Sequence, residues 1–156
     1  MVVVLKIIEF LSTFLLTLIV GVFWGTWLSL TRNKAVFPVD VFLAVGKRMI
    51  NNLALPMRIL TPATLVSFVL LCAGLYHAHQ TSGLVLSVAA VVCLIIAMVT
   101  TISVNVPIDY QVKSWSLTTM PSDWQSIWRR WCTFHALRSL LSLIALACSL
   151  AALLIA

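Results

Sequence analysis

Four apolar stretches, each long enough to cross a bilayer as a helix, take up most of this 156-residue sequence. They cover about residues 3–31, 62–79, 83–103 and 124–156. A hydrocarbon core needs roughly 20 consecutive apolar residues of helix, and a helix satisfies its own backbone hydrogen bonds where water is absent. With 62% hydrophobic and 9% charged residues, the chain lies far from the composition of soluble domains, disordered tails or coiled coils. The expected fold is all-α, an integral membrane four-transmembrane-helix bundle forming a single transmembrane domain over residues 1–156. Lys6 followed by an apolar run resembles a signal peptide. However, the run from Phe10 to Leu30 exceeds an h-region, and no A-x-A site follows. It reads as a retained first helix.

The connection from Arg32 to Thr61 is longer than a turn requires. Val41, Val45 and Met49 repeat at helical spacing behind Asp40, a plausible N-cap, and Pro56 and Pro62 follow. This predicts a short surface helix between spans 1 and 2. Net charge is +6. Its carriers flank the spans, so they report orientation before they suggest nucleic acid, which is not expected as a partner. Arg32, Lys34, Lys47, Arg48 and Arg58 lie in or beside the first connection, and Lys113, Arg129, Arg130 and Arg138 in or beside the third. The positive-inside rule then puts both connections in the cytoplasm and both termini outside. The short loops fit a bacterial inner (plasma) membrane.

Two faces suggest helix contacts. Thr13, Thr17, Gly21, Gly25 and Ser29 recur every four residues in the first stretch, and Ser142, Ala145, Ser149 and Ala152 form a small-residue face on the last. These ridges could bring the two helices together within one chain, in a homo-oligomer, or against a larger membrane complex. Cys72, Cys93, Cys132 and Cys148 show no C-x-x-C spacing and read as small apolar packers.

The chemistry concentrates in the second half. Trp124, Trp128, Trp131, His135, Arg138 and Ser142 are spaced 4, 3, 4, 3, 4 and fall on one helix face. His and Arg in a span need a partner or a polar cavity. Arg138 either snorkels to the headgroups or faces an inner site, and His135 is either a structural hydrogen-bonding group or a working base. The tryptophans suit an interfacial belt or the walls of an aromatic-ligand site. Asn105-Val106-Pro107-Ile108-Asp109 predicts a broken helix end with a polar pocket. There Asp109 would pair with Arg138, Arg130 or Lys113, or act as a catalytic carboxylate. Lys47, Arg48, Asn51 and Asn52 form a polar group on the surface helix, with Lys47 and Asn51 candidates for substrate contact. No metal site is expected: His77 and His79 near Cys72 do not define a coordination geometry.

Asn105-Val106-Pro107, then Asp109, then Trp124 and a Trp131-x3-His135-x2-Arg138 helix resemble the signature of the anthrone-oxygenase-like family. Gly21-Val22-Phe23 fits that family's Gly-rich first helix. The resemblance implies four membrane helices and, in fungal members, oxygenation of an anthrone to an anthraquinone without an evident cofactor. Carried over by position, it points to Asn105, Trp131, His135 and Arg138. Asp109 departs from the pattern, which often has Asn there.

The function expected from residues and resemblance together is a membrane oxidoreductase or oxygenase, without a cofactor, acting on a lipophilic phenolic or anthrone-like substrate. Trp124, Trp128 or Trp131 would stack on the substrate and His135 would remove a proton. Arg138 and Asn105 would stabilise the oxyanion that forms. Two alternatives remain: an accessory subunit using the small-residue ridges, and a haem or metal enzyme with ligands among His135, His77 and His79.

Overall fold

The computed structural model describes residues 2–31 and 37–155. Within them, four helices are long and apolar enough to cross a membrane: Val3–Thr31, Val39–His77, Thr81–Ser114 and Trp124–Ile155. The protein is an all-α, four-helix integral membrane bundle. α1 (Val2–Thr26) runs into a π-helical turn (Trp27–Thr31). α2 (Val39–His77) is followed by α3 (Thr81–Thr100), a second π-helical turn (Thr101–Asn105) and α4 (Val106–Ser114). α5 (Trp124–Ile155) closes the bundle. α1 packs against α2 and α5, and α3 packs against the same two, so the helices form a closed ring.

The interior divides into two clusters. Leu16, Phe68, Leu71, Leu75, Ala90 and Ala145 fill the half nearer the α2–α3 turn. Phe42, Leu43, Ile50, Val112, Trp115 and Trp131 fill the other. The α2–α3 turn closes with His79 in a left-handed conformation (φ 56°).

The short helix expected before span 2 is present but not separate. α2 continues through Pro56 and Pro62, both exposed. Each proline removes one backbone hydrogen bond. Breaking the helix at Pro62, about 22 Å along α2 from His77, would leave several more groups unpaired in the hydrocarbon core, and the chain stays helical through both prolines. At 1.5 Å per residue its 39 residues extend ~58 Å, well beyond one bilayer core. The first turns therefore reach past the core, where Phe42, Leu43 and Ile50 pack on α4 and α5. Asp40 sits in the first turn rather than at the N-cap, which is Pro38. There its charge still suits the positive end of the helix.

Pro107 does not end the third helix either. Proline has no N–H, and its ring collides with the carbonyl four residues back. The chain widens into a π turn, with the Val106 N–H bonded to the Thr101 carbonyl, and continues to Ser114.

The small-residue face of α5 is used as expected: Ser142, Ala145, Ser149 and Ala152 are all buried. α1 meets α5 through a different face from its Gly ridge. Thr13 Oγ1 lies 2.7 Å from Ser149 Oγ, but Thr17, Gly21, Gly25 and Ser29 point outward. A Cβ built on Gly21 or Gly25 meets nothing within 4 Å. Gly21→Leu and Gly25→Leu are thus expected to keep the monomer's thermal unfolding within about 0.5 kcal/mol of the parent. A cooperative loss of helix on either substitution, followed by circular dichroism in detergent, would show that the ridge packs inside the bundle. Arg32 and Lys34, which enter the orientation count, lie outside the described residues.

Candidate functional site

The central element is one face of α5. At the helical spacing of 131, 135 and 138, the side chains form a column. The Trp128 and Trp131 rings stack at 4.7 Å and the Trp131 and His135 rings at 4.8 Å. The Phe23 ring meets His135 edge-on at 5.9 Å. Arg138 lies beyond, its Cζ 4.5 Å from the Phe23 ring centre and 5.5 Å from that of Trp131. Aromatic faces attract a guanidinium, and more so when water is excluded.

Hydrogen bonds fix the tautomer of His135. Arg138 Nε–H donates to His135 Nδ1 at 3.0 Å, so Nδ1 carries no proton. His135 Nε2 then holds the proton and donates it to the Phe23 carbonyl at 3.1 Å. Both ring nitrogens are engaged, and the imidazole has no lone pair left for a substrate proton. Arg138 Nη1 also donates to Thr101 Oγ1 at 3.3 Å. Its charge is thus held by a histidine, a threonine and two aromatic faces. Among the described residues the ion pair within 4.0 Å is Lys6–Glu9, away from this site.

Asp109 takes a different partner from those expected. Its Oδ1 accepts the indole N–H of Trp131 at 2.8 Å, while Arg138 and Lys113 act on it only through their electrostatic field. Asn105 is fully buried, its Nδ2 donating to the Trp131 carbonyl at 3.2 Å and its Oδ1 without a partner. Asn105 and Asp109 together grip Trp131 from the backbone and the ring, tying the third span to α5. The π turn makes this possible. Eight residues of plain α-helix would place Asp109 about 80° around from Thr101, whereas a turn that absorbs one extra residue brings them within about 20°. Thr101 and Asp109 therefore share a face.

That face opens on a cavity of about 350 Å³ lined by Asp109, Trp131, His135 and Arg138 together with apolar residues of every helix. Met49, Met57 and Met98 give it a soft wall. Several residues singled out from the sequence lie elsewhere. Asn105 stands behind the wall, bonded to Trp131. Trp124 and Trp128 pack against Phe42 at 4.9 and 5.0 Å. Lys47 donates to the Trp115 carbonyl, and Asn51 is exposed. Conversely, Thr101 and Tyr110 line the cavity and carried no distinctive sequence pattern, while Phe23 and Arg58, which also line it, entered only through the family resemblance and the charge count. Arg58 Nη2 donates to Tyr110 Oη at 3.0 Å across its mouth.

Among the described residues no group of three or more His, Cys, Asp or Glu side chains could hold a metal ion. His77 lies 16 residues along α2 from the cavity-lining Thr61, about 24 Å. It cannot share a ligand with His135.

No curated protein and no solved structure matches this chain. The family described as Anthrone oxygenase matches residues 50–148, a range that contains Arg58, the π turn, Asp109, Trp131, His135 and Arg138. With well over half of its length matched, and with the polar face of the cavity inside the match, the chain belongs to the anthrone oxygenase family.

Proposed function

We propose that this protein is a small membrane oxygenase that acts without a cofactor on a lipophilic phenolic or anthrone-like substrate. The observation that carries the reading is Arg138. It is a buried guanidinium on the cavity wall, oriented by His135 and Thr101, with its charge uncommitted to any carboxylate within 4.0 Å among the described residues. A cation fixed in this way binds a developing oxyanion without reorganising.

The geometry supports a division of labour different from the one expected from the sequence. Asp109 lines the cavity with one oxygen held by Trp131, which leaves the other to take a proton. His135, bonded at both nitrogens, positions Arg138. An anthrone gives a C–H proton to Asp109, and its oxygen becomes an oxyanion beside Arg138. One electron passes from this anion to O2, and the resulting radical and superoxide combine to form a C–O bond. The proton returns from Asp109 to make a hydroperoxide. Loss of the second C–H proton with cleavage of the O–O bond gives the ketone and water. One CH2 and one O2 thus become one C=O and one H2O, and the substrate supplies the electrons.

The test is oxygen consumption by the purified protein with an anthrone, measured against heat-denatured protein. One O2 consumed per quinone formed, well above autoxidation, is the expected result. A rate equal to the denatured control would sink the reading. In the cell the basic ends of the helices would face the cytoplasm of a bacterial inner membrane, with both termini outside. A second reading, an accessory subunit, draws on Gly21, Gly25 and Ser29, which face outward and could seat a partner helix.

A further inference from the structure

The α5 part of the cavity lining (Trp131, His135, Arg138) is buried, as is Phe23 of α1, while Val22 and Thr26 of α1 are half-buried. The lining residues that are exposed are Arg58 and Pro62 on α2, Ile102 in the π turn and Tyr110 on α4. The mouth is therefore a cleft between α2 and the α3–α4 helix.

Its depth can be counted along α2 from the turn after His77. Pro62 is about 22 Å from His77 and Arg58 about 28 Å, against a hydrocarbon thickness of about 30 Å. The Pro62–Ile102 part of the cleft is thus bordered by lipid tails. The Arg58–Tyr110 bridge lies near headgroup level, where arginine and tyrosine are at ease. Exposed apolar side chains continue away from the cleft, to Val66 on α2 and to Val99 and Ile95 on α3. The polar part of the lining lies inward of these exposed residues, with Arg138 buried and Asp109 half-buried.

We propose that the substrate of this site is an amphiphile, a phenolic ring carrying one flexible hydrocarbon chain, bound with the ring in the cavity and the chain leaving through the α2–α3 cleft into the bilayer. The proposal rests on the oxygenase reading for the reaction but not for the shape of the ligand. A chain in the cleft exchanges one apolar environment for another, so it adds little binding of its own. Its advantage is partition, because each methylene concentrates the ring in the membrane beside the mouth. A sealed pocket would reject long chains, whereas a lateral cleft accepts them at any length.

The experiment uses the whole protein in lipid nanodiscs and a series of 4-alkylphenols from butyl to dodecyl, the longest also made with a diazirine at the chain end. Referred to concentration in the bilayer, affinity is expected to stay within about threefold along the series. Photolabel is expected on peptides covering residues 59–66 or 95–102, displaced by unlabelled 4-dodecylphenol. A fall in bilayer-referred affinity of more than about tenfold from butyl to dodecyl, or unsaturable label spread over α1 and α5, would overturn the proposal. Oxygen uptake on the same samples separates the two claims. Saturable cleft labelling with no uptake from any anthrone supports the ligand class and removes the oxygenase reading. Uptake from a chain-free anthrone without cleft labelling removes the ligand class and supports the oxygenase.

Discussion

Asp109→Asn lowers the turnover number for oxygen uptake by about two to four orders of magnitude, the range that general-base catalysis contributes, and leaves the fold intact. The substitution keeps the shape of the side chain. Its amide oxygen can still accept the Trp131 indole N–H that Asp109 Oδ1 accepts at 2.8 Å, so the tie between the third span and α5 survives. What is lost is the ability to take a proton. The measurement is steady-state oxygen uptake with a thermal melt of the same preparation. Activity within about tenfold of the parent, with an unchanged melt, would move the base to another group or to water. The outcome also bears on the family pattern, because the resemblance leads one to expect Asn here. Loss of activity would mean that this chain uses a proton acceptor at a position where the resemblance leads one to expect an amide.

Arg138→Leu removes the oxyanion partner and is expected to cost about 10²–10³ in turnover. It also leaves the His135 Nδ1 lone pair buried without a donor, a loss of about 1–3 kcal/mol in stability. Activity and stability therefore fall together, and a second substitution separates them. Arg138→Lys keeps the positive charge, but a single ammonium cannot reproduce the fixed pair of bonds from Nε to His135 and from Nη1 to Thr101. Its turnover should fall between those of Leu and the parent. His135→Gln offers a control, since a glutamine can accept from Arg138 and donate to the Phe23 carbonyl. Turnover kept by His135→Gln and lost in His135→Leu identifies the imidazole as a support for Arg138. Full loss in both would restore it as the proton acceptor.

The hydropathy pattern made the four spans legible because lipid leaves few alternatives to an apolar helix of that length. The α5 stripe was legible for a related reason: Trp131, His135 and Arg138 lie on a single continuous helix, so spacing alone aligns them. Interruptions were harder to read. Pro56, Pro62 and Pro107 are ordinary stop signals in water, but α2 stays helical through the first two, Pro62 lying where no water could satisfy a broken end, and the third helix widens into a π turn before Pro107 and continues. The partner of Asp109 was missed because opposite charges attract attention in a sequence, whereas an indole N–H does not. Arg58 and Tyr110 meet only through the tertiary fold, 52 positions apart in the chain. Glu9 escaped notice for a different reason, since its partner Lys6 is only three residues away and it is the burial that the sequence does not mark. It is buried in α1 with Lys6 3.7 Å away and its Oε1 unpaired, and neither neighbour in the sequence announces it.

The wide turn at Thr101–Asn105 has a consequence for how this protein can vary in length. It holds one residue more than an α-helical turn would, and everything after it is phased by that surplus. Deleting one of the five would let the helix close to regular geometry with α4 in its present phase, since seven residues of plain α-helix also bring Asp109 within about 20° of Thr101, whereas inserting one would rotate α4 by about 100°. After such an insertion Asp109 would leave the cavity and the Trp131 indole would lose its acceptor, although no functional side chain had been changed. Natural length variation should therefore fall in the Trp115–Asp123 loop or remove one residue of this turn, and should not add one. A survey of insertions and deletions across the family could be read as a map of where the phase matters.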